Sequence, residues 1–350
     1  MPLGRLLMGG ALSSVRNTLG TDRVIAEVDL LPCRAILSLS AFARFESNTM
    51  ELAIIGLGKM GANMAQRLLR GGHRVVGFDP AEAARKGIEE KGGQSATSLE
   101  TMIGKLKAPR VVWLMVPAGE VTDSTIVSLT PLLSAGDTII DGGNSNYRDT
   151  QRRAKAAAGR QINYVDSGTS GGVWGLAEGY SLMIGGDKAV VEKLRPIFET
   201  LAPAADKGWA HVGPVGSGHY TKMVHNGIEY GLMQAYAEGF SILQHKTEFK
   251  LDLHQIAEVW RYGSVVRSWL LDLTANALEK NPTLKGIAPY VSDSGEGRWT
   301  AAEAIELGVP AHVITSSLFT RFSSQDPDSF ADKLLAAMRN QFGGHAIKSE

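Results

Sequence analysis

The sequence predicts an α/β protein in two parts, a doubly wound, mostly parallel sheet followed by an all-α region. Three observations carry that expectation. Short apolar runs alternate with helical segments from Met50 to about residue 212. The first run leads into Gly56-Leu57-Gly58-Lys59-Met60-Gly61 and a helical stretch. Beyond Gly216 the strand signals stop and only helical segments remain. Alternation of strands and helices implies a parallel sheet covered on both faces.

The elements follow in order. Met50 to Ile55 is a short apolar strand. After the glycine turn, Ala62 to Arg70 has helical periodicity, and Gly71-Gly72 supplies the stop. Arg74 to Phe78 is a second strand, ending at Asp79. Strand, G-x-G-x-x-G, helix, strand and acid together form the context that a dinucleotide fingerprint requires, which makes the first part a Rossmann-type domain. Gly56 permits the tight turn, Gly58 lets the backbone approach a pyrophosphate at the helix N-terminus, and Gly61 lets helix and strand pack closely. Asp79 suits the adenosine ribose hydroxyls and would repel a 2′-phosphate, so NAD is preferred over NADP. The competing reading is that Asp79 caps the next helix, with Pro80 in its first turn.

Arg110 to Met115, Asp137 to Ile140, Asn163 to Asp166 and Ser181 to Ile184 read as further strands, with Thr122 to Leu133 as one intervening helix. Ligands of such sheets bind beyond the carboxyl ends of the strands. Val116-Pro117, Asp141 to Ser145 (with Asn144) and Ser167 to Gly172 (with Ser170, Gly171 and Gly172) all follow strands, so they are candidates to line a site. Each could also be an ordinary glycine-rich turn. Gly218 to Lys246 lacks proline and suits one long helix, followed by helical segments at Leu253–Tyr262, Val266–Glu279, Ala301–Leu307, Ala311–Phe322 and Ser329–Arg339. The expected division is residues 1–49 as a poorly ordered extension, 50–213 as the dinucleotide-binding domain and 214–350 as the helical substrate and dimerisation domain with a C-terminal tail.

On the long helix, Lys222, His225, Asn226 and Glu229 fall within roughly a third of the circumference at about 100° per residue. A cation, an imidazole, an amide and a carboxylate then share one face near the domain junction, where ligand sites are common. A solvated face of an amphipathic helix would look similar.

Composition narrows the classes. The 350 residues have a formal net charge of zero, which argues against nucleic acid or an anionic membrane surface as a main partner. No run of about 18 apolar residues suggests a membrane span. The single cysteine, Cys33, suits a reducing compartment, so a cytoplasmic location is expected. The first 49 residues carry Arg5, Arg16, Arg23, Arg34 and Arg44 and no lysine, which could mark a transit segment. Asp22, Glu27, Asp29 and Glu46 speak against that, and a translated upstream region without a role in the fold is the expectation. No ligand cluster with metal-site spacing stands out.

The fingerprint resembles that of the β-hydroxyacid dehydrogenases. Within them, Lys222 to Tyr230 is similar to the catalytic helix of the decarboxylating 6-phosphogluconate dehydrogenases. Ile-Ile-Asp-Gly-Gly-Asn144-Ser, Ser170-Gly-Gly, Gly295-Glu-Gly-Arg298-Trp-Thr, Arg321 and the tail Arg339 to His345 support the match. The resemblance spans Met50 to about Ile347. The chain looks like the short form, which often has the Val173-Trp174 pair and often prefers NAD.

The resemblance implies oxidation and decarboxylation of 6-phospho-D-gluconate to D-ribulose 5-phosphate without a metal. Lys222 would be the general base and Glu229 the general acid. Asn144, Asn226, His225, Ser170, Gly171 and Gly172 would hold the substrate, with Asn144 also at the nicotinamide. Gly56, Leu57, Gly58, Lys59, Met60, Gly61, Asp79, Val116 and Pro117 would hold the cofactor. Tyr230, Arg298 and Arg321 match phosphate contacts. Arg339 and His345 match a tail that reaches a partner subunit, which implies a homodimer or homotetramer. The alternatives are a 3-hydroxyisobutyrate or tartronate-semialdehyde type dehydrogenase, which needs neither Glu229 nor the arginine set, and a dinucleotide sensor, which has no use for an acid and a base on one face.

Overall fold

A computed structural model describes residues 49–348, and the expectations for the first 48 residues and for Cys33 lie outside that range. Eight strands form one sheet: β1 (Glu51–Ile55), β2 (Arg74–Phe78), β3 (Gln94–Ala96), β4 (Val111–Leu114), β5 (Thr138–Asp141), β6 (Asn163–Ser170), β7 (Ser181–Gly185) and β8 (Trp209–Gly213). Their order is β3-β2-β1-β4-β5-β6-β7-β8. All neighbours pair in parallel except β6 with β7.

The chain moves outward from β1 to β3 and then returns to place β4 on the other side of β1. The crevice where β1 and β4 diverge is the switch point at which such sheets bind ligands. β1 and β4 are almost wholly apolar and buried, as a sheet covered on both faces requires. One core lies on each face. One side gathers around Trp113, Phe198, Leu52 and Ile54, the other around Val112, Leu129, Met102 and Ile139.

Two strands escaped the sequence reading. β3 is three residues long and contains Gln94 and Ser95, so it carries no hydrophobic signal. β8 is an edge strand whose residues alternate between half-buried and exposed. One expectation is corrected: Ser167 to Ser170 do not form a turn but continue β6, pairing antiparallel with Ser181 to Ile184. Several helix boundaries also move. The helix after the glycine turn starts at Lys59, and that before Arg321 begins at Glu296 rather than Ala301.

The long helix, Ser217–His245, ties the helical region to the sheet. Its first turn has no side-chain cap of its own. Instead the buried Asp166 of β6 accepts the N–H groups of Gly216 (2.7 Å) and His219 (2.8 Å), and its negative charge sits at the positive end of the helix. A pair of glycines allows the approach. A Cβ on Gly168 would lie 2.5 Å from Gly218 O and from Lys222 Cβ, and one on Gly218 would lie 2.4 Å from Met183 O. The remaining helices pack mostly around this one, with two small cores at Phe240, Leu271 and Ala275 and at Tyr230, Ala301 and Leu318. No helix among the described residues is long and apolar enough to cross a membrane.

Candidate active site

The carboxyl ends of β1, β4, β5 and β6 open into a cavity of about 1440 Å³ whose far wall is the long helix. The glycine turn is built from the strands it joins. Gly56 donates to Phe78 O and Met115 donates to Ile55 O, so β2, β1 and β4 fix its entry. Gly56 has φ +92°, and a Cβ there would lie 2.4 Å from Met115 O. A Cβ on Gly61 would lie 1.9 Å from Gly56 O. Gly58 is different: its φ of −62° suits any residue, and a Cβ would meet nothing within 4 Å. Neither backbone conformation nor internal packing explains glycine at that position, whereas a ligand seated against the backbone does. The helix that Gly58 precedes, Lys59–Arg70, has no side-chain cap and no acid in its first turn, leaving its N–H groups to the cavity. These features fit a dinucleotide pyrophosphate.

Asp79 does not cap the following helix, whose N-cap is Ala81. Its Oδ2 accepts the N–H of Leu57 and its Oδ1 that of Ala81, both at 2.8 Å. The carboxylate thus faces the glycine turn, half-buried, without itself lining the cavity. Leu57 and Gly56 lie behind the turn, while Gly58, Lys59, Met60 and Gly61 line the cavity with Val116 and Pro117.

Asn144 lines the cavity from the loop after β5. A buried network holds that loop. Asp141 accepts hydrogen bonds from Gly143 N, Ser145 Oγ and Tyr164 Oη. The guanidinium of Arg153 reaches Asp141 (3.3 Å), Ser145 (2.9 Å) and, through Nε, Asp123 (2.8 Å). Burial and the neighbouring Asp141 charge hold the Tyr164 hydroxyl well above its ordinary pKa. Paired on all sides, these buried charges give Asn144 a rigid base.

Ser170, Gly171 and Gly172 line the cavity at the end of β6, with the exposed Val173 and Trp174 beside them. Across it, the helix face assembles as its periodicity predicts. Lys222 is buried and donates through Nζ to Asn226 Oδ1 at 2.5 Å, with His225 Nδ1 at 3.4 Å. His225 Nδ1 lies 3.8 Å from Glu229 Oε2. All four residues line the cavity, and so do Val224 and Ile228. Burial lowers the Lys222 pKa below the ordinary lysine range, partly countered by the charges of Glu229 and Glu296.

The basic residues sort differently. The Arg321 guanidinium lies 3.4 Å from the centroid of the Tyr230 ring, and its Nη1 donates to Ser292 O. Arg298 forms a two-pronged pair with Asp293 at 2.8 and 3.0 Å and stacks on Phe322. That pairing holds the Asp293 carboxyl below its ordinary pKa. Tyr230 Oη accepts the N–H of Ser294, which does line the cavity, so this cluster adjoins the rim without entering it. Arg339 and His345 are exposed on and after the last helix, Phe330–Gly343, and do not line the cavity of their own chain.

Glu296 escaped the sequence reading. It is a buried carboxylate that lines the cavity. Its sequence signal was a single acid in Gly295-Glu-Gly-Arg298, more than fifty residues beyond the end of the long helix.

Comparison with known proteins places these features in a family. Residues 51–213 match the NAD binding domain of 6-phosphogluconate dehydrogenase, and residues 218–333 match the C-terminal domain of 6-phosphogluconate dehydrogenase. The chain is 42% identical over 299 residues to an NAD(+)-dependent, decarboxylating 6-phosphogluconate dehydrogenase of Haloferax volcanii, covering 85% of this chain and 98% of that one. It is 40% identical over 287 residues to a decarboxylating, NAD(+)-dependent enzyme of Bacillus subtilis, of which it spans 61%. Among solved structures, Plasmodium falciparum 6-phosphogluconate dehydrogenase superposes with a TM-score of 0.73 at 30% identity, covering 86% of this chain and 66% of that one.

Proposed function

Because the chain belongs to the 6-phosphogluconate dehydrogenase family, we propose that it converts 6-phospho-D-gluconate to D-ribulose 5-phosphate and CO₂ while reducing a nicotinamide dinucleotide, with NAD preferred. The observation that carries this reading is the buried Lys222, paired with Asn226 on a face shared with Glu229, opposite the Gly58 turn across one cavity.

The bound dinucleotide supplies the hydride acceptor, and Gly58 to Gly61, Val116, Pro117 and Asn144 would hold it. Lys222, whose pKa burial lowers, takes the proton of the substrate's C3 hydroxyl in its neutral form as the hydride leaves C3. The resulting β-keto acid loses CO₂, and the Lys222 ammonium donates a hydrogen bond to the new carbonyl as electron density gathers there. Glu229 protonates C1 of the enediol. Ser170, Gly171 and Gly172 receive the carboxylate and adjacent hydroxyls, with His225 and Asn226 on the opposite wall. Tyr230 and Arg321 flank the phosphate. Arg298 serves it with donors that Asp293 does not use, since a guanidinium has five and the pair engages two. The tail residues Arg339 and His345 would complete the site of a second subunit.

The test is the rate of nicotinamide reduction with 6-phosphogluconate beside 3-hydroxyisobutyrate, with CO₂ trapped. Turnover of the phosphorylated acid with one CO₂ per reduced cofactor is expected. Reduction only by the small hydroxyacid, without CO₂, would replace the proposal with that alternative. Asp79→Ala sharpens the cofactor assignment. Its kcat/KM ratio for NAD over NADP should fall about tenfold, the scale of one lost charge contact. An unchanged ratio removes Asp79 from cofactor choice.

A further inference from the structure

We propose that Glu296 is the fixed counter-charge of Lys222, a positioning residue that acts through the lysine by holding the ammonium formed when the substrate hydroxyl is deprotonated. This rests on the reading of Lys222 as the base.

Glu296 is 4% exposed, and its Oε2 is buried without a hydrogen-bond partner. A buried carboxylate oxygen left unpaired is costly, and such groups in folded proteins call for an explanation. It lines the same cavity as the lysine, and the fold keeps it within electrostatic reach. Glu296 opens the helix Glu296–Glu306, whose N-terminal end favours a negative charge. That helix crosses the long helix at close range: Thr300 Oγ1 donates to Met223 O at 2.8 Å. A Cβ on Gly227 would lie 2.6 Å from Thr300, and one on Gly297 would lie 2.5 Å from the Tyr230 ring. Two tight glycine contacts leave the crossing of the two helices little freedom to slide.

An ammonium has three donors. Lys222 meets an amide oxygen on Asn226 and, at longer range, an imidazole nitrogen on His225. The charged and titratable groups facing it are His225 and Glu229 on its own helix and Glu296 on the crossing helix. Beneath it the contact from β6 is Gly168, which carries none. Both carboxylates favour the charged lysine, while burial opposes it. Only one of the two can serve through the whole cycle. Glu229 must itself be protonated to deliver a proton to C1, so its charge is absent when it is about to act. Glu296 has no such task. When the hydroxyl proton moves to Lys222 Nζ and the hydride leaves for the nicotinamide, the lysine gains one positive charge, and Glu296 balances it.

The test is Glu296→Gln in the full chain, read as kcat/KM against pH with 6-phosphogluconate. Loss of the negative charge makes the lysine easier to deprotonate. The acidic limb should therefore move to lower pH, while kcat at the optimum falls about tenfold because the developing ammonium has lost its partner. KM should hold. Glu296→Asp, which keeps the charge, should keep the wild-type limb. A second readout needs no turnover. Limiting acetic anhydride labels neutral amines, and the pH of half-maximal labelling at Lys222, followed by peptide mass spectrometry, should drop in the Gln variant. A folded Gln variant with an unmoved limb and unmoved labelling overturns the proposal, as does a raised KM at constant kcat, which would make Glu296 a substrate contact. If the wild-type chain does not oxidise 6-phosphogluconate, the labelling still decides the charge relation while the proposed reaction fails separately. Should the Gln variant not fold, Glu296→Thr is read in the same way.

Discussion

The sheet half and the helical half of this chain treat their apolar side chains in opposite ways. From residue 51 to 213 the large hydrophobic residues lie almost entirely in the two cores, and the exposed exceptions among the described residues are Val121, Val127, Val173, Trp174 and Val212. From 217 onward the cores are small, and Ile242, Val265, Trp269, Ile305, Phe319, Phe330, Leu335 and Phe342 all face outward. Apolar surface on that scale marks an interaction face. The first half is a finished fold within one chain, while the second leaves much of its apolar surface uncovered. The cavity lies between them, with its glycine turn on the finished half and its acid and base on the other. This asymmetry suits a family tail that would carry Arg339 and His345 to a second copy.

The strongest challenge to that division of labour is Lys222→Met. If the helical half supplies the chemistry and the sheet half only binds, the variant should lose about 10²- to 10⁴-fold in kcat, the range of a positioned general base. Its affinity for the dinucleotide, followed by fluorescence titration, should stay near wild type. Substantial turnover in this variant would remove Lys222 as the base.

A charge placed on each half tests the exposed surfaces themselves. Phe342→Asp, at a residue 79% exposed, should lower the mass seen in sedimentation and cut kcat/KM by about tenfold or more, since a buried unpaired charge at an interface costs several kcal/mol. Val127→Asp, at a residue 71% exposed on the sheet half, should change stability by no more than about 0.5 kcal/mol and leave the mass alone. Two equally silent variants would mean that the helical face is bare in solution as well.

Within the sheet half, the glycine turn separates a ligand requirement from a folding requirement. Gly58→Ala meets open space, so its melting temperature should match wild type while KM for NAD rises about tenfold. Gly61→Ala forces a Cβ against Gly56 O and should destabilise the apo protein by about 1–3 kcal/mol. If both variants lost stability alike, the open space at Gly58 would have no functional meaning.

The same contrast explains what could be read from the residues alone. The turn from Gly56 to Gly61 and the Lys222 face were legible because each is local: a motif of six residues and a helical repeat of three or four. β6 beyond Asp166 was misread because Gly168 looks like a turn residue, whereas its lack of a side chain is what lets the long helix approach. β3 and β8 were invisible because short or edge strands need no apolar run. Glu296 was missed because its neighbour is set by the helix crossing at Thr300 and Met223, which no spacing in the sequence encodes. The pairing of Arg298 with Asp293 was equally hidden, although the two are only five residues apart, since a loop does not fix side-chain direction.

The smallest effect comes from the same lysine that gives the largest. Its pKa is depressed in the folded chain, so between that value and the ordinary lysine range the unfolded chain binds more protons. Stability therefore rises with pH across that window, and below it the folded state carries the full penalty of a group whose charged form burial disfavours. Lys222→Met removes the titrating group. The variant should melt at a higher temperature than wild type near neutral pH, and the gap should narrow as pH climbs toward the ordinary lysine range. A gap that is constant with pH would reduce the gain to methionine packing. A narrowing gap would show that the helical half accepts a stability cost at the very residue where it supplies the base.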